Sequence, residues 1–342
     1  MKILSISILI IYFSLKPLYA QKINDKKLIE FGWDYPDVDY LKANIHEMEK
    51  NSPFDGVVFS FHAPPYYAFD TAQSTTDYFE FNDLSKIEWH KFTDNFISIR
   101  GVGKSGPHWT DDDGWLKIVD NLTRISKAIE ISKAKGIGFD PEFYLENEQL
   151  NPWIYNKQLY PQLSYQQVGK YVKRRGIQFI QALQTYKPDM KILCFWLWGL
   201  VAEQNKTQPF INTRMALYPF FIEGMLEGKN NESELIDGNE TAYWYSNAKD
   251  FITSGDEQRA NAKKFLPAFL SPKIDKVTFA QPIFYDGIFA LKPIFDKGND
   301  KATQNRWFRN NLYYALKTTD RYVWFYSEQL NWWKKPDAVL AN

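Results

Sequence analysis

Residues 28–36 read LIEFGWDYP, and this stretch decides the fold that the sequence predicts. Its first part, Leu28–Asp34, is an apolar run of the length expected for a buried strand. An open, doubly wound sheet would place a glycine-rich phosphate-binding turn directly after its first strand. Trp33-Asp34-Tyr35-Pro36 stands there instead. The stretch therefore favours the first strand of a closed barrel over the first strand of a doubly wound sheet.

Short apolar runs alternate with longer amphipathic stretches along the chain, a pattern typical of βα units and parallel sheets. Eight runs are candidate strands: Leu28–Asp34, Gly56–His62, Phe96–Gly101, Gly136–Tyr144, Lys191–Gly199, Glu234–Asn239, Lys276–Tyr285 and Arg321–Glu328. Helices are predicted over Val38–Lys50, Gly114–Lys135, Tyr165–Tyr186, Thr213–Glu227, Ser246–Phe265 and Thr303–Thr319. The sequence therefore predicts an α/β fold, a (β/α)8 TIM barrel, as a single catalytic domain over residues 21–342.

The segment between the second and third predicted strands, His62–Asn95, does not read as one helix. It contains Pro64-Pro65, which interrupts a helix, together with many aromatic residues. We expect a long loop and a short helix. Because long loops that leave a barrel strand usually build a site, this segment is expected near the functional residues.

Residues 1–20 have the features of a secretory signal peptide. Lys2 supplies the positive start, Ile3–Leu15 is an apolar run, and Ala20 is the small residue before the expected cut. The apolar run is too short for a permanent transmembrane helix. We expect an exported protein, periplasmic or extracellular, with no integral membrane segment after signal removal. Cys194 is the only cysteine, so no internal disulfide can form, and its apolar neighbours predict burial.

The charge balance argues against a nucleic-acid partner. Removing residues 1–20 takes away Lys2 and Lys16, so 39 of the 41 basic residues remain against 41 acidic ones, a net charge of −2. No basic excess is left to attract nucleic acid or an anionic membrane. No glycine-rich nucleotide-binding motif stands at a strand-to-helix turn, and we expect no cofactor.

Polar and aromatic residues stand at or just beyond the ends of the predicted strands, where a buried core would not select them. Barrel enzymes carry their chemistry at the carboxyl ends of their strands, which the closed sheet brings onto one ring. The expected ligand-binding residues are Trp33, Asp34, His62, Arg100, Trp196, Trp198, Tyr285, Asp286, Tyr326 and Trp332. Aromatic rings suit sugars, whose faces are apolar and whose edges are polar. Core packing is the competing use of the rings, and turn formation that of the aspartates.

The fourth predicted strand carries the sharpest local signal, residues 136–142 (GIGFDPE). Asp140 and Glu142 share one face, because strand side chains alternate. Two neighbouring carboxyl groups can have different pKa values, so that one stays protonated as a general acid while the other is ionised. The competing interpretation is a pair of salt-bridged structural acids.

Residues 135–142 resemble the fourth-strand D-G-x-D-x-D-x-E signature of the chitinase and endo-β-N-acetylglucosaminidase superfamily. The resemblance implies that Glu142 protonates the leaving oxygen. It also implies that Asp140 orients the substrate acetamide, which is the nucleophile in that family. Lys135 and Gly138 stand where the signature has aspartates.

Two-carboxylate hydrolysis of a glycosidic bond needs a second acid besides Glu142. Asp237 and Glu240 follow the sixth predicted strand, and Glu328 ends the eighth. Asp237 is followed by glycine, so turn formation is its competing role. Glu328 shares its strand parity with Tyr326 and points inward if that residue does. These three acids are the candidate partners of Glu142.

A broader resemblance adds to this interpretation. Residues Phe31–Asp34, Pro53–Phe59 and Tyr322–Glu328 are similar to segments of bacterial glycoside-hydrolase-like barrel proteins of uncharacterised specificity. The resemblance implies the barrel and a broad class without a substrate. The sequence as a whole favours a secreted glycoside hydrolase that cleaves a poly- or oligosaccharide by carboxylate acid/base catalysis.

Two alternatives stay open. A non-catalytic carbohydrate-binding barrel would keep the aromatic residues without needing the carboxylates. A metal-dependent hydrolase would need clustered ligands, but no metal-binding motif is formed by the four histidines, His46, His62, His90 and His108. We therefore predict no metal site.

Overall fold

The computed structural model describes residues 25–61, 66–71, 81–101, 106–197, 199, 209–245, 247–265, 267–285, 301–328 and 330–333. The predicted signal peptide lies outside these residues, as do His62, Trp198 and Asp286. In the part of the chain that is described, no helix is both long enough and apolar enough to cross a membrane.

The strands form a parallel sheet that is rolled into a nearly closed barrel. Their bounds are β1 Lys27–Gly32, β2 Gly56–Phe59, β3 Tyr66–Tyr67, β4 Phe96–Arg100, β5 Gly136–Asp140, β6 Lys191–Cys194, β7 Glu234–Asp237, β8 Thr278–Phe279, β9 Gln281–Phe284 and β10 Tyr322–Ser327. Neighbouring strands follow the order β8-β7-β6-β5-β4-β2-β1-β10-β9, and β3 pairs with β4. The first and last strands are therefore neighbours, with Lys27 opposite Tyr322. The predicted TIM barrel is confirmed.

The segment that closes the barrel is the predicted seventh strand, which the structure divides into β8 and β9. Only Ala280 separates the two pieces: β8 pairs with β7, and β9 pairs with β10. At the break, the Ala280 N–H donates to the carbonyl oxygen of Asp237 at 2.8 Å. With this segment counted once and β3 left aside, the sheet has the eight strand positions that the sequence predicts.

Helices lie between the strands along the chain. Their bounds are α1 Val38–Asn51, α2 Phe81–Leu84, α3 Asp112–Ser132, α4 Tyr165–Leu183, α5 Tyr218–Gly228, α6 Ala248–Phe265 and α7 Lys301–Thr318. The Asp37 carboxylate caps α1 by accepting a hydrogen bond of 2.8 Å from the backbone N–H of Tyr40. Helix α5 begins at Tyr218 rather than at the predicted Thr213, because Pro219 fits only the first turn of a helix. The short helix expected in the segment 62–95 is α2, and β3 was not predicted.

Two strands end earlier than the sequence predicts. Strand β5 stops at Asp140 rather than Tyr144, because Pro141 has no N–H and cannot continue the ladder. Strand β6 stops at Cys194 rather than Gly199. The residues that follow both strands therefore stand on exit loops, which is where barrel enzymes place functional side chains.

Alternate strand side chains fill the inside of the barrel. The ring of Phe31 stacks on that of Phe195 with centroids 4.2 Å apart, and Trp324 lies 5.1 Å from Phe195. Gly138 leaves room for this layer, since a Cβ atom at Gly138 would stand 2.9 Å from the Phe195 ring. Side chains of the other parity face the helices, as Phe139 does against α4. The packed rings form a floor beneath the carboxyl ends of the strands.

Candidate active site at the carboxyl ends of the strands

A cavity of about 500 Å³ opens where the strands end. It is lined from the ends of β1, β4, β5, β6, β7, β9 and β10 and from the loops that follow them. The lining residues are Phe31, Gly32, Trp33, Tyr35, Arg100, Glu142, Tyr144, Phe195, Glu240, Tyr243, Trp244, Phe284, Tyr326 and Glu328. The volume falls in the range of small-molecule sites, which are largely apolar with a few placed polar groups.

Three glutamates from separate strand ends meet in this cavity. Glu142 follows β5, Glu240 follows β7, and Glu328 follows β10. All three side chains are half-buried. The Tyr326 hydroxyl donates a hydrogen bond of 3.2 Å to Oε1 of Glu328. The fold thus brings together acids that lie far apart in the sequence.

Glu240 stands in an environment that favours its protonated form. Burial raises the pKa of Glu240 well above its ordinary value, and the negative charges of Asp140 and Glu142 raise it further. Glu240 therefore keeps its proton at pH values at which an exposed glutamate has lost it. A carboxylic acid held in this way can donate a proton to a reacting oxygen.

Asp140 supports Glu142 from beneath. Its Oδ1 accepts a hydrogen bond of 2.9 Å from the backbone N–H of Glu142, and its Oδ2 accepts one of 2.8 Å from the Tyr144 hydroxyl. Burial raises the pKa of Asp140 to about 6, and these two hydrogen bonds oppose the increase. Both carboxylate oxygens are thus engaged by the exit loop of β5, so Asp140 fixes the loop that carries Glu142.

Arg100 is the basic residue among those that line the cavity. Its guanidinium lies over the ring of Tyr144, 4.9 Å from the ring centroid. The charge of Asp140 also acts on Arg100. Arg100 thus stands at the cavity wall, packed on the Tyr144 ring and hydrogen-bonded to Tyr67.

The first and last strands contribute a linked pair of aromatic residues. The indole Nε1 of Trp33 donates a hydrogen bond of 2.8 Å to the hydroxyl oxygen of Tyr326. The Trp33 side chain is nevertheless 69% exposed. Tyr326 in turn stacks on Tyr243, with ring centroids 5.0 Å apart. An exposed ring whose edge is held in place can offer its face to a ligand.

Two further exposed rings stand around the cavity, Tyr144 at 52% and Trp244 at 46% exposure. The sequence-based prediction missed both, although Tyr144 follows Glu142 by two residues and so shares its strand parity. It also missed Tyr35, Phe195 and Tyr243, which line the cavity as well. Trp244 stands four residues after Glu240, and the two residues lie at the ends of a 3-10 helix over Glu240–Trp244. The alternation of strand side chains does not predict such a helix.

Asp237 does not line the cavity, in contrast to the expectation from its place at a strand end. It is paired in register with Cys194 and shares a sheet face with it, on the side toward the helices. It is buried, and its Oδ1 accepts a hydrogen bond of 3.0 Å from the backbone N–H of Asn239. Asp237 therefore has the turn-forming role that was the alternative.

Trp196 also lies away from the cavity. Only 4% of its surface is exposed, and it packs against Tyr218 of α5 with ring centroids 5.6 Å apart. It has the parity of Cys194 rather than of Phe195, which faces the barrel interior. Its use is core packing, and Cys194 is buried as predicted.

Asp34, Tyr285 and Trp332 form a neighbouring cluster outside the cavity lining. Oδ2 of Asp34 accepts a hydrogen bond of 2.7 Å from the backbone N–H of Trp332, whose ring lies 5.5 Å from that of Tyr285. Asp34 thus braces the segment after β10 against the end of β1. Burial raises the pKa of the neighbouring Glu30 well above its ordinary value, and the charge of Asp34 raises it further.

His62, Trp198 and Asp286 lie outside the described residues, so their predicted roles stay predictions. Among the residues that are described, no group of three or more His, Cys, Asp and Glu side chains is arranged as a metal site. The residues that the structure brings together from the predicted set are Trp33, Arg100, Glu142, Glu240, Tyr326 and Glu328.

No family model matches the chain, and no curated protein matches it in sequence. Its fold is similar to that of a GH5-4 broad specificity endoglucanase from an uncultured bacterium, with a TM-score of 0.46 and 8% identity over 91% of this chain and 88% of that chain. It is also similar to a 3-keto-D-glucoside 4-epimerase from E. coli, with a TM-score of 0.40 and 13% identity over 88% and 91% of the two chains. A sugar phosphate isomerase/epimerase from Parabacteroides distasonis gives a TM-score of 0.39 and 10% identity over 91% and 92%. The resemblance to the chitinase signature thus depends on the residues of the fourth strand alone.

Proposed function

We propose that the protein is a glycoside hydrolase whose two catalytic carboxyl groups are Glu240 and Glu142. One observation carries the proposal: glutamates from separate strand ends converge on a cavity that exposed aromatic rings surround. Two carboxyl groups flanking a bound glycosidic bond are the usual requirement for its hydrolysis. Aromatic rings beside them suit the apolar faces of sugars.

In this proposal Glu240 is the general acid. It is the acid that burial and neighbouring charge hold protonated, so it protonates the oxygen of the departing sugar. The Glu142 carboxylate is the second group that the reaction requires. This assignment reverses the roles that the chitinase resemblance implies, in which Glu142 is the acid. Asp140 acts through Glu142, because both of its oxygens hold the loop on which Glu142 stands.

The remaining polar and aromatic lining binds the sugar. The exposed faces of Trp33, Tyr144 and Trp244 stack on sugar rings, and Arg100 and Glu328 hydrogen-bond to hydroxyl groups. The predicted signal peptide fits this function, since an exported hydrolase meets polysaccharides outside the cytoplasm. The substrate is a poly- or oligosaccharide.

The test is a panel of polysaccharides with detection of new reducing ends. The parent protein should release reducing ends from at least one glycan. Glu142→Gln and Glu240→Gln should lower that rate by about 100- to 10,000-fold, the usual contribution of an acid or base group. Glycan affinity should stay close to that of the parent, because both substitutions keep the size of the side chain.

Glu49→Gln is the matched control. Glu49 is a buried glutamate on α1, and its Oε1 accepts hydrogen bonds from the backbone N–H groups of His90 and Phe92, away from the cavity. Its substitution should lower stability and leave turnover per folded molecule unchanged. Binding without hydrolysis in the parent would instead support a non-catalytic carbohydrate-binding barrel.

A further inference from the structure

Glu240 directly follows Asn239, whose backbone is left-handed with a φ of 53°. Asparagine adopts this conformation more readily than most residues. Building on the proposed function of Glu240 as the acid, we propose that Asn239, Gln258 and Gln281 form a positioning unit that fixes the Glu240 side chain in the cavity.

The Asn239 side chain is held from both sides. Its Oδ1 accepts a hydrogen bond of 2.8 Å from Nε2 of Gln258, and its Nδ2 donates one of 3.0 Å to Oε1 of Gln281. All three side chains are buried. The Asn239 backbone N–H donates a third bond, of 3.0 Å, to Oδ1 of Asp237. Asn239 therefore has one orientation available to it.

Gln281 is itself fixed by two helices. Its Nε2 donates hydrogen bonds of 2.8 Å to Oγ of Ser254 on α6 and of 3.1 Å to Oγ1 of Thr318 on α7. These bonds leave Oε1 as the atom that faces Asn239. The network thus ties the turn after β7 to strand β9 and to the helices behind it.

The backbone of the same turn is fastened to neighbouring strands. The Gly238 carbonyl oxygen accepts a hydrogen bond of 2.8 Å from Nε1 of Trp324, and the Glu240 N–H donates one of 3.1 Å to the carbonyl of Phe195. A Cβ atom at Gly238 would stand 2.6 Å from the carbonyl oxygens of Cys194 and Phe195, so only glycine fits there. The turn has little room to shift.

The hydrogen-bond network gives the turn a fixed orientation. Burying an amide costs free energy unless its donors and acceptors are satisfied, so apolar side chains could fill the same space without that possible cost. Hydrogen bonds, however, fix orientation, which apolar contacts do not. The carbonyl oxygen of Asn239 accepts a hydrogen bond of 2.8 Å from the Ala242 N–H and so begins the 3-10 turn on which Glu240 is the first residue. Fixing Asn239 therefore fixes the direction in which Glu240 leaves the backbone.

The experiment follows the protonation of Glu240 by NMR in protein labelled with ¹³C at glutamate carboxyl groups. The Glu240 signal is the one missing from Glu240→Gln. Asn239→Gly keeps the left-handed backbone free of strain but deletes the amide. The titration midpoint of Glu240 should then fall by about one pH unit or more, because the released side chain reaches water.

Asn95→Gly is the matched control. Asn95 is equally buried, accepts from the Val57 N–H and donates to the Phe92 carbonyl, but it stands at the amino end of β4. Both variants should lose stability, and only Asn239→Gly should move the Glu240 midpoint. An unchanged midpoint in Asn239→Gly, or an equal shift in Asn95→Gly, would overturn the proposal.

Gln258→Leu is the second variant, for use if Asn239→Gly does not fold. It removes the donor to Oδ1 of Asn239, together with a hydrogen bond between Gln258 and Tyr245, but leaves the Asn239 amide and its bond to Gln281 in place. It should move the Glu240 midpoint in the same direction by less; no movement counts against the positioning unit. The titration needs no substrate, so it is independent of the proposed function. That function fails on a separate result, full hydrolysis by Glu240→Gln.

Discussion

The indole nitrogen of Trp33 donates a 2.8 Å hydrogen bond to the hydroxyl of Tyr326, and this bond joins the loop after β1 to strand β10. The bond holds the edge of the indole and leaves its face in solvent. The Tyr326 hydroxyl in turn donates a hydrogen bond to Oε1 of Glu328. One line of hydrogen bonds thus links an exposed ring to a carboxyl group in the cavity.

Trp33→Ala should weaken substrate binding more than it slows chemistry. Loss of one stacking ring is worth about 0.5–1.5 kcal/mol, so KM for an oligosaccharide should rise about 2- to 10-fold while kcat changes little. Trp33→Phe keeps a ring but lacks the donor to Tyr326, and should give an intermediate KM. Steady-state kinetics on an oligosaccharide series measure both constants. A fall in kcat as large as the rise in KM would place Trp33 in the chemical step instead.

The roles of Glu240 and Glu142 should separate on substrates with different leaving groups. The dinitrophenolate group of a dinitrophenyl glycoside leaves without being protonated. Glu240→Gln should therefore retain most of its activity on that substrate and lose its activity on a polysaccharide. Glu142→Gln should lose activity on both. Release of dinitrophenolate and of reducing ends gives the two rates. The opposite pattern would return the acid role to Glu142.

The pH dependence should follow the protonated form of Glu240. Because its pKa is raised, the acid survives above the ordinary range of a glutamate, and kcat/KM should fall only as pH rises through that raised value. On the dinitrophenyl substrate the same falling limb should be weaker or missing. A profile that already falls near the pKa of an exposed glutamate would contradict the assignment.

Glu30→Gln should stabilise the protein at alkaline pH. Glu30 is fully buried, and its raised pKa means that the folded state binds its proton more tightly than the unfolded state does. The associated stability is complete below the unfolded pKa and is lost as pH rises toward the folded pKa, by about 1.4 kcal/mol per pH unit. The glutamine cannot ionise, so its variant should lack this loss. Urea unfolding of the parent and the variant at pH 4 and pH 8 measures the difference.

Gly138→Ala should destabilise the floor of the cavity. Its Cβ atom would meet the Phe195 ring at 2.9 Å and the Val58 side chain at 3.2 Å, an overpacking that costs about 1–3 kcal/mol. Gly255→Ala on α6 is the matched control: its Cβ would meet nothing closer than 3.4 Å, and alanine favours a helix by up to about 1 kcal/mol. The Tm values of the two variants should therefore move in opposite directions relative to the parent. Equal shifts in Tm would show that the Phe195 ring moves aside without loss of stability.

The sequence was sufficient for the barrel because eight apolar runs and their spacing are local features. It also placed Glu142 and Tyr326 at strand ends that a barrel brings onto one ring, and both line the cavity. Asp237 and Trp196 lie outside the cavity lining, because parity does not say which of two faces is the inner one. Only the register with neighbouring strands decides that, as the pairing of Asp237 with Cys194 shows.

The sequence did not reveal the rest of the site because those residues depend on turns of special conformation. On the sequence alone Glu240 stood just behind Glu328 and Asp237 as the partner of Glu142, and it is the turn with the left-handed Asn239 and the 3-10 helix that brings it to the cavity. Tyr243 and Trp244 follow from the same turn. Local patterns do not encode such geometry, because it arises from hydrogen bonds to Gln258 and Gln281, which come from later parts of the chain.

The pairing of β1 with β10 has a consequence for how this protein becomes active. Trp33 and Tyr326 are 293 residues apart in the chain, so the mouth of the cavity exists only after the final strand has docked. Contacts of such long range form slowly, because the intervening chain must first be ordered. A polypeptide shortened before its last strand would therefore lack Glu328 and leave Trp33 untethered. The pairing of β1 with β10 and the completion of the site are therefore the same event.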